Sequence, residues 1–412
     1  MNRFTSPVVM LLVAALSACS SDGNGSDPDG GGGKGATAGS ENNGGSNASG
    51  TSGNSGGSNS GGGSSGSSSS SGGEPPTTLP GSTPKAMPLL SLEAPAFASS
   101  SEGNAKAEAA KDRNPQSRWV SMGMPAWLAY DLSGTPEAER EQVLVAWYAG
   151  GAVDYINTTP DPGKRLPVDY TLEINTADGG GEPPSDGWQV VQTVTGCDRN
   201  AGQRLVELEG ANWVRMNVTK STAPDSVAID LDVHAAPDGA TDSWLFMGDS
   251  ITFMSTAYVF SNLPELVNDR KADRFPAIIP AAIGGTNTTV ALDNIDNTMK
   301  DFPGRFVVLA YGTNDHANEY KMEELVQKVI AAGKTPAIPH MPWASSAGIQ
   351  ESGALINQTI DDLYEKYPEI LRGPDLWAVF KDRTDLIPAN DIHPNDAGQK
   401  ALREAWADAM TR

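Results

Sequence analysis

The pattern of apolar and polar positions changes twice along the chain and divides it into three stretches. In the last stretch, residues 241–412, short apolar runs alternate with segments whose apolar residues recur at helical spacing, as Leu325 and Val329 do. This pattern predicts helices at residues 288–300, 319–332, 349–366 and 395–410. Such alternation of strands and helices predicts a three-layer α/β/α domain around a parallel sheet.

The middle stretch, residues 88–237, has short apolar runs separated by clusters of Gly, Pro, Asp and Asn. The runs lie at residues 143–147, 170–174, 188–194 and 227–233. They predict an all-β sandwich or jelly roll. Five tryptophans lie here, at positions 119, 127, 147, 188 and 213. We expect most of them in the core, and the alternative for any one of them is a platform for a sugar ring.

The first stretch begins with residues 1–18, which carry Arg3 and an apolar segment at 8–16. This segment is too short to span a membrane and is typical of a secretory signal. The order Leu-Ser-Ala-Cys that ends at Cys19 resembles the bacterial lipoprotein lipobox. The resemblance implies cleavage before Cys19, lipidation of its thiol and a lipid-anchored location in the cell envelope. The alternative is a secreted protein with an unrelated cysteine.

Cys19 is followed by Ser20 instead of an aspartate. In Gram-negative sorting this points to the outer membrane, so the expected location is the outer membrane, facing the periplasm or the cell surface. Residues 19–87 are mostly Gly, Ser, Asn and Thr, with Pro near the end, and predict a flexible tether.

The formal net charge of −22 argues against nucleic acid as a partner. If Cys19 is lipidated, Cys197 has no partner within the chain, and we expect a buried, inert thiol.

Four short motifs in the last stretch carry the candidate chemistry. An apolar run ends at Gly248-Asp249, and Ser250 follows where a helix should begin. Gly285, Asn314 and His393 each follow a strand-like run or lie in a late loop. The carboxyl ends of strands in an open α/β sheet converge on one edge, so these residues are expected to meet there. A serine on such a turn suits acyl transfer.

Together the motifs resemble the SGNH (GDSL-like) hydrolase family over residues 241–412. The resemblance implies that Ser250 is the nucleophile and His393 the general base. It also implies an oxyanion hole formed by the backbone N–H groups of Ser250 and Gly285 and the side-chain amide of Asn314. No metal or other cofactor is expected.

The third member of the triad departs from the family pattern. The family's acid usually lies three residues before the histidine, where this chain has Asn390; the nearest acid is Asp391. Three hypotheses remain open: Asp391 orients His393, Asn390 does so through its amide, or a backbone carbonyl takes this role. We favour Asp391, because an amide does not stabilise the imidazolium.

The middle stretch resembles discoidin-type, galactose-binding-like domains, in the segments 112–114, 118–121 and 127–132. Members of this family often bind sugars through loops, and some carry calcium. The four histidines show no metal-ligand spacing. His316 is expected to be a solvated loop residue, with the mouth of the site as the alternative, and His340 is expected to be structural.

These observations predict an extracytoplasmic serine esterase that removes acyl groups from a polysaccharide, with acetyl as the favoured acyl group. The carbohydrate assignment depends on the β-domain and the tether, not on the chemistry of the site. One alternative is a lipase or arylesterase of broad short-chain specificity. Another is a sugar-binding lipoprotein whose hydrolase domain is inactive.

Overall fold

The computed structural model of this 412-residue protein describes residues 83–114, 117–150, 165–256 and 262–412. The predicted signal segment, Cys19 and the tether up to residue 82 lie outside these residues. In the part of the chain that is described, no helix is both long enough and apolar enough to cross a membrane.

The first half of the described chain consists of nine strands. They are β1 (Ala96–Ala98), β2 (Trp119–Val120), β3 (Ala126–Asp131), β4 (Gln142–Tyr148), β5 (Pro167–Asn175), β6 (Gln189–Val194), β7 (Ala201–Glu207), β8 (Trp213–Ser221) and β9 (Ala228–Ala235). One short helix, α1 (Glu137–Arg140), and a 3-10 turn at Ala107–Ala110 connect them. Each predicted apolar run of this region overlaps one of these strands.

The strands form two antiparallel sheets, in the orders β1-β3-β8-β5-β6 and β2-β9-β4-β7. Every second residue points inward, so Leu128 and Tyr130 of β3 are fully buried. Trp119, Trp147 and Trp213 are buried, as predicted for core residues. The half-buried Trp127 and Trp188 instead lie near the guanidinium of Arg215, whose Cζ is 5.9 and 4.0 Å from the two ring centroids.

The second half alternates strands and helices. The strands are β10 (Ser243–Gly248), β11 (Ala277–Pro280), β12 (Phe306–Ala310), β13 (Thr335–His340) and β14 (Leu371–Asp375). The helices are α2 (Ser250–Thr256), α3 (Leu263–Arg270), α4 (Thr288–Met299), α5 (Met322–Ala331), α6 (Ala347–Lys366), α7 (Leu376–Phe380) and α8 (Asp396–Met410). The four helices predicted from periodicity are α4, α5, α6 and α8, with ends shifted by up to three residues.

All five strands run parallel, in the order β11-β10-β12-β13-β14. Helices α2, α3 and α7 pack against α8, while α4 packs against α5. The predicted fold class, an α/β/α domain preceded by a β-sandwich, is confirmed. The chain moves from β10 to β11 on one side and returns to β12 on the other, so the carboxyl end of β10 lies at the topological switch point, where α/β sheets place their sites.

The sandwich packs against the α/β part through β4 and β7, which contact β11. Arg199 and Arg204 of the sandwich both pair with Asp301, at 3.0 and 2.7 Å. Ser243, the first residue of β10, donates its hydroxyl to Gln203 at 2.9 Å. An apolar cluster of Met87, Leu144, Ala236, Ala240 and Ala277 lies between the two parts. These contacts make β11, the edge strand of the parallel sheet, part of a buried interface.

Candidate active site

Ser250 is the first residue of α2, two residues after the end of β10. The turn between strand and helix is tight: a Cβ on Gly248 would lie 2.5 Å from Thr252 Oγ1 and 2.8 Å from the Ala310 carbonyl oxygen. Asp249 stabilises the start of the helix by accepting a hydrogen bond from the Ile251 N–H at 3.0 Å. The glycine and the aspartate together place the serine at the edge of the sheet.

His393 lies in the loop before α8, a helix that packs against α2. The side chain of Asn395 caps α8 by accepting the Gly398 N–H at 3.0 Å, which fixes the end of this loop. Ser250 Oγ and His393 Nε2 are 2.9 Å apart. This is the distance at which an imidazole can accept the hydroxyl proton of a nucleophile.

Asp391 is the carboxylate that faces the other ring nitrogen. Its Oδ1 lies 3.4 Å from His393 Nδ1, and the same oxygen accepts the backbone N–H groups of Ile392 at 2.7 Å and His393 at 3.0 Å. Burial alone would raise the pKa of Asp391, but these N–H groups and the imidazole together lower it. Asp391 is therefore held as an anion beside the imidazole.

Asn390 occupies a left-handed backbone conformation, with φ of 63°. Its N–H donates to Ser345 Oγ at 2.9 Å, and the Asp391 N–H closes a turn onto the Pro388 carbonyl at 3.0 Å. Among the described residues no hydrogen bond joins the Asn390 side chain to the imidazole. Of the three hypotheses for the third triad member, the positions of these side chains favour Asp391.

The two other oxyanion-hole candidates follow the strands on either side of β10. Gly285 has φ of 76° in a turn that runs from Ile283 to Thr286, a conformation that favours glycine. Asn314 Nδ2 donates to the Thr286 carbonyl at 3.0 Å. An amide carries two N–H bonds, so the second remains available to a substrate. Ser250, Gly285 and Asn314 thus follow three adjacent strands at one sheet edge.

Two carboxyl groups lie buried beneath this edge. Burial raises the pKa of Asp249 to about 7, against the opposing hydrogen bonds from the Ile251 N–H and the Thr313 side chain. Burial likewise raises the pKa of Asp315, although the hydroxyl and N–H of Thr288 both donate to it. The negative charge of Asp315 adds to the increase in the pKa of Asp249.

The residues that hold these loops in place carry no motif in the sequence. Thr286, Thr288, Asp315 and Ser345 each bond a loop of the site. In sequence, Thr286 directly follows Gly285 and Asp315 directly follows Asn314. This adjacency is the one feature of the sequence that could have pointed to a role at the site. It did not separate them from ordinary turn residues.

The remaining titratable candidates lie elsewhere. His316 is exposed in its loop. His340 ends β13 between Asp361, at 3.1 Å, and Asp375, at 3.3 Å. His234 is buried, which lowers its pKa to about 4, and Cys197 is buried with a free thiol. Over the described residues, no group of three or more His, Cys, Asp or Glu side chains is arranged to hold a metal ion.

Residues 246–401 match the model of the GDSL-like lipase/acylhydrolase family. This match contains all the candidate catalytic residues and supports an acylhydrolase for this part of the chain. No curated protein matches the chain.

Two kinds of solved structure are similar to parts of the protein. One is an acetylxylan esterase from Geobacillus stearothermophilus, at 15% identity and a TM-score of 0.34, covering 42% of this chain and 94% of that one. The other is chitosan-binding module 1 of a chitosanase/glucanase from Paenibacillus sp. IK-5, at 22% identity and a TM-score of 0.27, covering 35% of this chain and 98% of that one.

Proposed function

We propose that this protein is an extracytoplasmic serine esterase that removes acyl groups from a polysaccharide, with acetyl as the favoured acyl group. The observation that carries the proposal is the 2.9 Å contact between Ser250 Oγ and His393 Nε2. Both groups lie at the sheet edge that also bears Gly285 and Asn314. The family match of residues 246–401 supports the same reaction class.

In the proposed mechanism, Ser250 Oγ attacks the ester carbonyl carbon and His393 Nε2 accepts the hydroxyl proton. Negative charge then develops on the carbonyl oxygen. The backbone N–H groups of Ser250 and Gly285 and the free N–H of Asn314 Nδ2 stabilise it, and one such donor contributes about 3 kcal/mol in the transition state.

The tetrahedral intermediate collapses when the bond to the sugar oxygen breaks, and that oxygen takes the proton from His393. The acyl group remains on Ser250 as an ester. A water molecule then gives a proton to His393 and attacks the acyl carbon. The bond to Ser250 Oγ breaks, Oγ takes the proton back from His393, and the carboxylic acid is released. Asp391, on the Nδ1 side, stabilises the imidazolium in both steps.

The carbohydrate part of the proposal is supported by the resemblance of residues 88–237 to sugar-binding sandwiches and by the predicted tether. The same proposal anchors the protein in the cell envelope through lipid on Cys19. A tether at residues 19–87 would let the enzyme reach a bulky, immobile substrate.

A panel of hydrolysis assays tests the proposal: release of acetate from acetylated xylan, glucomannan and pectin, beside aryl acetates, with the Ser250→Ala variant as the blank. We expect turnover on at least one acetylated polysaccharide and none in the blank. Turnover of aryl and short-chain esters alone would favour the lipase or arylesterase alternative. No turnover on any ester would favour the sugar-binding lipoprotein.

A further inference from the structure

Thr286 links the loops that carry the oxyanion-hole candidates. Its side-chain hydroxyl lies 2.7 Å from the Ile283 carbonyl oxygen and 3.2 Å from that of Gly248. Its own carbonyl accepts the Asn314 amide at 3.0 Å. One buried residue in the loop after β11 therefore contacts both the last residue of β10 and the loop after β12.

The hydroxyl contact closes the turn that contains Gly285. The backbone N–H of Thr286 lies 3.4 Å from the Ile283 carbonyl oxygen, a long distance for a turn hydrogen bond. The hydroxyl, at 2.7 Å, is the shorter link between the ends of this turn. Loss of the hydroxyl would leave the Gly285 peptide and the Thr286 carbonyl free to rotate.

The Thr286 carbonyl in turn fixes the rotation of the Asn314 amide. With one N–H bonded to this oxygen, the amide plane is set and the second N–H has a defined direction. An oxyanion donor is effective only when it is directed in advance at the position where charge develops.

We propose that Thr286 is a positioning residue, which acts through Gly285 and Asn314 to hold the oxyanion hole in its working geometry. This proposal depends on the proposed function, because it requires that Asn314 stabilise an oxyanion. Thr286 itself touches no reacting atom.

The test is a set of variants of the full chain, assayed on aryl acetate. Thr286→Val keeps the size of the side chain and removes the hydroxyl. We expect it to lower kcat roughly 10- to 100-fold with little change in KM, because misplaced donors weaken the transition state more than the ground state. A trifluoromethyl ketone adds to the serine hydroxyl, and its former carbonyl oxygen becomes an oxyanion. The affinity of the variant for this inhibitor should fall together with kcat.

Thr286→Ser restores the hydroxyl and should recover activity to within about threefold of the parent, a difference typical of lost packing alone. Thr289→Val, at an exposed threonine in the first turn of α4, is the matched control and should leave kcat unchanged. Thermal unfolding of every variant identifies loss of fold, and Thr286→Ala replaces Thr286→Val if the valine variant does not fold.

A double-mutant comparison with Asn314 distinguishes a positioning role of Thr286 from a general loss of stability of the protein. In an Asn314→Ala background, Thr286→Val should cost clearly less than in the parent, because one donor it positions is already gone. Fully multiplicative effects, or a serine variant as slow as the valine variant, would overturn the proposal. If Asn314→Ala alone leaves kcat unchanged, the oxyanion hole of the proposed function fails as well; if only Thr286→Val is without effect, the positioning role alone fails.

Discussion

At the position where the GDSL-like family usually has its acid, this chain has Asn390, and the backbone conformation of Asn390 bears on the proposed role of Asp391. With φ of 63° at the third position of the turn that Asp391 closes onto Pro388, Asn390 adopts a conformation that asparagine tolerates better than most residues. The turn brings the next side chain, Asp391, to 3.4 Å from His393 Nδ1. A local bend thus places Asp391 beside His393, as its proposed role requires.

Asp391→Asn should lower kcat by at least about tenfold, because a neutral amide does not stabilise the imidazolium and allows the wrong tautomer; the same change in serine proteases costs about 10⁴-fold. Asn390→Asp should leave kcat nearly unchanged, or lower it slightly through repulsion between adjacent carboxylates. Steady-state kinetics on aryl acetate compare the two variants. A large gain from Asn390→Asp, together with little effect of Asp391→Asn, would show that the triad lacks a working acid in the natural chain.

At the scale of single elements, hydrophobic periodicity predicted the long helices, because their buried faces repeat every three to four residues. Helix α5 was predicted to begin at residue 319, but Ala317–Glu319 forms a 3-10 turn and α5 begins at Met322. The Lys321 N–H bonds Thr288 Oγ1 just before the helix. This contact joins residues 33 positions apart and leaves no local pattern in the sequence.

The same reasoning explains which parts of the site were predictable. Ser250, Gly285 and Asn314 belong to short motifs that follow strand ends. His393 belongs to one in the loop before α8. For such motifs, residue type and position are enough to predict a role. The position of Asp391, the proposed third triad member, depends on the φ angle of Asn390. The contacts of Thr286 depend on how the end of β10 and the loops after β11 and β12 meet. Neither is a property of a local segment.

Asp249, between β10 and α2, makes this junction sensitive to pH. Its pKa is raised to about 7 in the folded protein, above about 3.9 in an unfolded chain. The folded state therefore binds more protons than the unfolded state between these values, so the contribution of Asp249 to stability falls as pH rises from about 4 to 7.

Asp249→Asn removes this titration and keeps an oxygen to accept the Ile251 N–H. Relative to the parent, the variant should gain stability between pH 5 and pH 8, by a few kcal/mol at most, since one pKa unit corresponds to about 1.4 kcal/mol. Urea unfolding at the two pH values measures the difference. A variant that loses stability relative to the parent as pH rises would contradict the pKa of Asp249.

At the scale of the whole molecule, the sandwich and the α/β part share a substantial buried interface. Asp242, just before β10, pairs with Arg274 at 2.7 Å with both side chains fully buried, and Arg274 also donates to the Met410 carbonyl at 3.0 Å. Buried ion pairs are strongly destabilising to break when one partner remains. This pair ties the start of β10 to the end of the chain, and the hydroxyl of Ser243 ties it to Gln203 of the sandwich.

The strand that precedes Ser250 is therefore supported by both parts of the molecule. We interpret the sandwich as a structural support of the α/β part, in addition to its proposed role in sugar binding. The sequence predicted two separate domains but not this interface, because the residues that form it are distant in sequence and polar residues such as Gln203 and Asp301 resemble ordinary surface residues.

The central claim is that Ser250, activated by His393, is the nucleophile, and covalent labelling of the full chain tests it most directly. An organophosphate ester, which traps activated serines irreversibly, should add one phosphoryl group, and peptide mapping by mass spectrometry should place it on Ser250. Ser250→Ala should remain unlabelled, and His393→Ala should react far more slowly, because the hydroxyl loses its base. Labelling at another residue, or labelling of Ser250→Ala at the rate of the parent, would contradict the account.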